Sequence, residues 1–144
     1  MGCNIRPDRR ALGAAGEHTA RLLLQEKGLR ILESNWRDGR RGELDIIARD
    51  DTDPQRSWTV EVRTRVGRNR GSALASIDPR KVARLRALTG AWCRAHGPLS
   101  SRVRIDVVAI TVDARTLGAW PAPMDEAVDL RALGAQVTWL RGVQ

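Results

Sequence analysis

Phenylalanine and tyrosine are absent from this chain, and histidine, methionine and cysteine occur twice each. The aromatic mass rests on five tryptophans: Trp36, Trp58, Trp92, Trp120 and Trp139. Cys3 and Cys93 are too few and too scattered for a zinc cluster or a disulfide framework, so two ordinary thiols in a reducing cytoplasm are expected. His18 and His96 lack ligand spacing to each other or to a cysteine, which leaves them surface or structural roles. No apolar run approaches the ~18 residues of a membrane span. Arg6, Asp8, Arg9 and Arg10 interrupt the start of the chain, so no secretory hydrophobic region exists, and Arg6 stands where a myristoylation pattern wants Ser or Thr. No internal repeat or low-complexity tract stands out. Together these absences predict a cytoplasmic protein with no membrane partner.

What the chain has in excess is positive charge. Lys and Arg number 25 against 17 Asp and Glu, for a formal net charge of +8 and a pI near 11.2. Lys27 and Lys81 are the only lysines, so nearly all of the cation is guanidinium. Such an excess raises affinity for polyanions, nucleic acid first. At 144 residues, with 42% hydrophobic side chains, the chain is long enough to bury a core as one domain. Residues 1–9 read as a flexible polar lead and 10–144 as that domain, with a core over 11–112 and a variable segment over 113–144.

Leu12, Ala15, Thr19, Leu22 and Leu23 follow helical spacing between residues 10 and 27, and Gly28 is a stop. Residues 29–36 read as a strand, and the basic run 37–42 as a hairpin turn into a second strand over 42–48. A turn over 50–56 precedes a third strand over 58–65, and 66–76 lacks periodicity and reads as exposed loop. Asp78-Pro79 is an N-cap followed by proline at the first helical position. Val82, Leu85, Leu88 and Trp92 form that helix's apolar stripe, and His96-Gly97-Pro98 ends it. Residues 102–112 read as a buried strand, 120–124 as a Pro-rich loop, 125–133 as a short helix and 136–141 as a closing edge strand. This order predicts an α/β fold in which helices flank a mixed central sheet, with strand order unreadable.

Strand side chains alternate between faces, so Asp45 shares a face with Glu43 and Ile47, opposite Leu44, Ile46 and Ala48. Glu61 and Arg63 share a face with Thr59, while Trp58, Val60 and Val62 can enter a core. If the two strands are neighbours, Asp45 and Glu61 become paired carboxylates on one rigid surface. Glu17 is a third candidate: it lies one helical turn from the small residues Gly13 and Ala20, which would let the helix approach the sheet. Taken alone, Glu17 also reads as a solvated helix residue. Carboxylates gathered in this way suit Mg²⁺ or Mn²⁺, and such a metal suits phosphodiester hydrolysis. Without a cation the pair would repel and one pKa would rise. Arg37, Arg40 and Arg41 in the hairpin, Arg65, Arg68 and Arg70 in the loop, and Arg80, Lys81 and Arg84 on the second helix flank these carboxylates. Each group alone is ordinary solvated charge, while together they favour a surface that tracks phosphates. Glu43 is expected to pair with a nearby arginine and Asp106 to make a sheet-edge hydrogen bond or ion pair.

The segments Leu12-Gly13-Ala14-Ala15-Gly16-Glu17, Asn35-Trp36, Gly42-Glu43-Leu44-Asp45-Ile46-Ile47-Ala48, Val60-Glu61-Val62-Arg63-Thr64-Arg65, Arg80-Lys81 and Arg104-Ile105-Asp106-Val107-Val108 resemble, in order and spacing, the YraN-like family. That family is a poorly characterised bacterial branch of the restriction-endonuclease-like superfamily, related to archaeal Holliday junction resolvases. The resemblance implies a restriction-endonuclease-like sheet and divalent-metal nuclease geometry, with Glu17, Asp45 and Glu61 in the carboxylate roles. The family pattern Glu-Val-Lys-Thr-Arg is broken here, because Arg63 stands where the lysine belongs. A guanidinium stays charged and cannot act as a base, although it can stabilise phosphoryl charge. Loss of such an optimised contact would cost roughly 2–4 kcal/mol of barrier.

The leading expectation is a Mg²⁺- or Mn²⁺-dependent endonuclease-like protein acting on DNA, including branched or repair intermediates. Glu17, Asp45 and Glu61 would hold the metal, with Arg63 beside them. The alternative is a nucleic-acid-binding protein that keeps the fold and has lost most hydrolysis through Arg63. RNA is the second-ranked polymer, and a two-fold homodimer is the assembly a junction-cutting enzyme would favour.

Overall fold

The computed structural model describes residues 8–53, 55–67, 78–97, 103–118 and 127–143. Helix α1 (Arg9–Glu26) begins where the Asp8 carboxylate accepts a hydrogen bond from Arg10 N at 3.1 Å, so the lead expected over 1–9 gives way to helix at Arg9. Gly28, at φ 83°, turns the chain out of α1 in the left-handed region that glycine tolerates. Strands β1 (Leu29–Arg37), β2 (Glu43–Asp50) and β3 (Ser57–Val66) follow as an antiparallel meander. Helix α2 (Pro79–His96), capped by Asp78, carries the chain across the sheet to β4 (Val103–Val112), which runs parallel to β3. Strand β5 (Gln136–Leu140) closes the edge antiparallel to β4, giving one mixed sheet in the order β1-β2-β3-β4-β5.

The two helices cover opposite faces of the sheet. Leu12, Ala15, Ala20 and Leu24 of α1 pack against Ile46, Ala48, Trp58, Val60, Val108 and Ile110. Leu85, Leu88 and Trp92 of α2 pack against Leu44, Ile47 and Ile105. Thr59 and Thr89 share a hydrogen bond of 3.0 Å, which pins α2 to β3. Among the described residues, no helix is long and apolar enough to cross a membrane.

Three local expectations change. Leu44 does not lie with Ile46 and Ala48; it packs on the α2 side with Ile47, because β2 leaves regular alternation next to Asp45. The helix expected over 125–133 is, among the described residues, a single 3-10 turn at Leu130–Leu133. Asp129 caps that turn, and Gly134, at φ 75°, stops it. A short helix, α3 (Ala114–Gly118), follows Asp113, whose carboxylate accepts from Arg115 N at 2.8 Å, and it delivers Leu117 to the α1-side core.

The segment after β4 is anchored rather than appended. Thr19 Oγ1 donates to Ala15 O at 2.8 Å and accepts from Leu130 N at 2.9 Å. Arg131 makes two 2.7 Å hydrogen bonds to Glu26 at the end of α1. Asp106, fully buried on β4, accepts from Arg104 Nε (2.8 Å), Arg104 Nη2 (2.9 Å), Trp139 Nε1 (2.8 Å) and Gly142 N (2.9 Å). Four donors thus fill the carboxylate's acceptor sites and tie the C-terminal strand to the sheet. Asp106→Ala leaves all four without an acceptor and an arginine without its counter-charge, so urea denaturation should show a loss of about 3–5 kcal/mol. A loss under about 1 kcal/mol would show that the latch does not hold the edge.

Candidate metal centre

The β2–β3 ladder runs from Arg49 opposite Ser57 to Ile46 opposite Val60 and pairs no further toward the start of β2. At that opening the Asp45 side chain takes over the role of the backbone, its Oδ2 accepting from Val62 N at 2.9 Å. Asp45 is thereby held between two parting strands instead of standing on one face, and it meets side chains from both layers. Asn35 sits opposite Asp45 in the β1–β2 register, between the pairs Ser34 with Ile46 and Trp36 with Leu44. Its φ of 54° lies in the left-handed region that asparagine tolerates better than most residues, and its side chain hydrogen-bonds Glu17.

Glu17 reaches this point because α1 lies very close to β3. A Cβ on Gly16 would collide with Thr64 Oγ1, whereas one on Gly13 would meet nothing within 4 Å. Gly16, and not Gly13, is therefore the small residue that permits the approach. One carboxylate oxygen each from Glu17, Glu43 and Asp45 lies within 4.8 Å of the others. Glu61 arrives from β3, hydrogen-bonded to Asp45, with its Oε1 3.1 Å from Lys81 Nζ. The structure thus brings Glu17, Asp45 and Glu61 to one point and adds Glu43, expected only as the partner of an arginine. Glu43 also makes that pair, accepting from Arg37 Nε at 3.0 Å. Arg63 follows Glu61 on the same face of β3 and is half-buried.

Crowded negative charge raises pKa values here. Burial pushes the Asp45 carboxyl up to about 8, with the charge of Glu61 adding to the effect and the Val62 N–H opposing it. Burial also raises Glu17, against the hydrogen bond from Asn35. An all-oxygen donor set that must otherwise retain a proton near neutral pH fits a hard divalent cation such as Mg²⁺ or Mn²⁺.

A cleft of about 380 Å³ opens on one side of Glu17, lined by Arg9, Arg10, Asn35, Arg37 and Glu43. Another, of about 580 Å³, lies toward Arg65, Thr64 and Val62. Arg37, Arg65 and Lys81 therefore border the carboxylates. Arg40, Arg41, Arg80 and Arg84 are exposed, and Arg41 lies 3.7 Å from Asp38. Arg68 and Arg70 lie outside the described residues. Arg9 and Arg10 were missed because the helix start at Asp8, itself an N-cap residue type, was placed in the polar lead.

The sequence model of the Uncharacterised protein family UPF0102 matches residues 16–110, a span that contains Glu17, Asn35, Glu43, Asp45, Glu61 and Lys81. The chain is 46% identical over 106 residues to a UPF0102 protein of Kineococcus radiotolerans, covering 73% of this chain and 84% of that one. It is 41% identical to the Leifsonia xyli subsp. xyli UPF0102 protein over 111 residues, 77% and 86% of the two chains. A Mycobacterium bovis UPF0102 protein is 41% identical over 123 residues, 85% and 91% of the two chains.

The raised Asp45 pKa has a defined sign. A carboxyl whose folded value, about 8, lies above its ordinary 3.8 stabilises the fold fully below about pH 4, and loses that contribution as pH rises through about 8. Asp45→Asn keeps an acceptor for Val62 N–H and offers Glu61 a donor without ionising. In chelator-treated protein, its stability relative to wild type should rise between pH 5 and pH 8.5, read by urea midpoints at constant salt. Parallel pH profiles for the two proteins would contradict the assignment.

Proposed function

The chain belongs to the uncharacterised protein family UPF0102, whose name states no reaction, and from the site itself we propose a metal-dependent, restriction-endonuclease-like nuclease acting on DNA phosphodiesters. The observation that carries this reading is the meeting of Glu17 from α1, Glu43 and Asp45 from β2, and Glu61 from β3 where the sheet's ladder opens. A divalent cation, Mg²⁺ or Mn²⁺, would supply a sink for phosphoryl charge and acidify a water. Glu17, Glu43 and Asp45 are the residues to hold it, and Asp45 would give up its proton in doing so. Glu61, kept oriented by the Lys81 ammonium at 3.1 Å, is the group to receive a proton from the attacking water. Arg63 stays charged and would steady the phosphoryl oxygens, a task for which a guanidinium is suited and which needs no proton transfer. Lys81 supports the reading further, since it brings an ammonium to the carboxylates from α2 although β3 carries arginine at the lysine position of the resembling family.

The net charge of +8 and the arginines bordering both clefts favour a polyanionic substrate, DNA first and RNA second. A cytoplasmic location accords with that substrate, and a two-fold dimer would suit branched DNA. Arg63 favours one other reading, a nucleic-acid-binding protein with little hydrolysis. Linear and branched DNA incubated with the protein and Mg²⁺ or Mn²⁺ separates the two. The nuclease reading expects cutting that a chelator stops and that Asp45→Ala lowers by at least ~10² while binding persists. Salt-sensitive binding without cutting, with cutting gained in Arg63→Lys, would establish the second reading. Absence of metal-dependent cutting in both wild type and Arg63→Lys would overturn the first.

A further inference from the structure

The other end of β3 carries a feature unrelated to the carboxylates. Ser57 Oγ and Trp58 Nε1 are, among the described residues, the two buried side-chain polar atoms without a hydrogen-bond partner. They belong to adjacent residues that are 1% and 4% exposed, and both residues line one cavity of about 550 Å³. Native interiors rarely strand such donors, because an unmet buried hydroxyl or indole N–H is costly. The same wall holds Arg56, Arg86 and Arg104 against a single acid, Asp53. Arg104 is neutralised by Asp106, while Arg56 and Arg86 have no ion pair among the described residues. The Arg56 and Arg104 guanidinium carbons lie 5.4 and 5.5 Å from the centre of the Trp58 ring, so the indole sits among cations. The C-terminal Gly142 and Val143 form the far wall, held by Val143 N donating to Ile105 O at 2.8 Å.

Two unpaired guanidinium forks and two unmet neutral donors exceed what one carboxylate would satisfy, and they match a tetrahedral oxyanion that carries two charges. The volume falls in the range of small-molecule sites. We propose that this cavity is an anion site for the phosphate of a phosphate monoester, either a nucleic-acid strand end or a free nucleotide. Ser57 precedes Glu61 by four residues along β3, roughly 13 Å at strand rise, so the site is separate from the carboxylate cluster and its occupancy does not depend on the nuclease reading.

Tryptophan fluorescence and calorimetry on the full chain, with inorganic phosphate, AMP, adenosine and matched 5′-phosphorylated and 5′-hydroxyl oligonucleotides as probes, test this. Phosphate-bearing probes should bind at least tenfold tighter than their phosphate-free counterparts. Arg56→Ala combined with Arg86→Ala, both at exposed positions, should abolish that preference while leaving the thermal midpoint unchanged. Ser57→Ala should raise the thermal midpoint, by removing an unmet hydroxyl, yet weaken AMP binding several-fold. Preference for the phosphorylated oligonucleotide over AMP assigns a strand end, and equal affinity assigns a free monoester. Adenosine binding as tightly as AMP, or full affinity in the double arginine variant, overturns the proposal.

Discussion

One hydrogen bond organises the candidate site: the Asp45 carboxylate accepting the Val62 N–H at 2.9 Å. It satisfies the backbone donor where β2 and β3 part, and it locks Asp45 in the gap between them. From the gap Asp45 meets Glu17 on the α1 side and Glu61 on the α2 side, which a carboxylate on either face of an unbroken sheet could not do. Concentrating four acids there is costly, as the upward pressure on Asp45 and Glu17 shows. The surrounding fold offsets that cost through α1 held close at Gly16, Asn35 in a left-handed conformation, and Lys81 brought from α2 to Glu61.

Much of this was legible in the residues. Periodicity and Asp or Gly punctuation located α1, α2 and all five strands to within about two residues, because caps and apolar stripes are local signals. The expected nearness of Asp45 and Glu61 rested on strand alternation, and the two residues are indeed adjacent. Alternation failed at Leu44, since a strand leaving its ladder no longer obeys a period of two. The same departure, invisible locally, is what groups Glu43 with Glu17 and Asp45. Gly13 was preferred over Gly16 because helical spacing alone does not say which small residue faces Thr64. Strand order and the docking of Leu117 and Leu130 depend on long-range packing and had no local signal.

The C-terminal segment has a clear structural task. Leu117 and Leu130 complete the core above α1, the Thr19 and Arg131 hydrogen bonds fasten the turn to that helix, and Asp106 fastens β5. These contacts hold α1 from the side opposite the clefts, so the helix that carries Glu17 is fixed from both directions. The positive charge likewise divides into two regions, one bordering the carboxylates and one around Trp58.

The central claim is that the carboxylates at residues 17, 43, 45 and 61 form a single cation site. The most direct test is calorimetric titration of Mn²⁺ into the full chain at pH 7, run in two buffers of different protonation enthalpy. One Mn²⁺ should bind per chain with release of about one proton from the Asp45–Glu61 pair, and Glu17→Gln should weaken that binding. No saturable binding, or binding with no proton release and no response to Glu17→Gln, would contradict the claim.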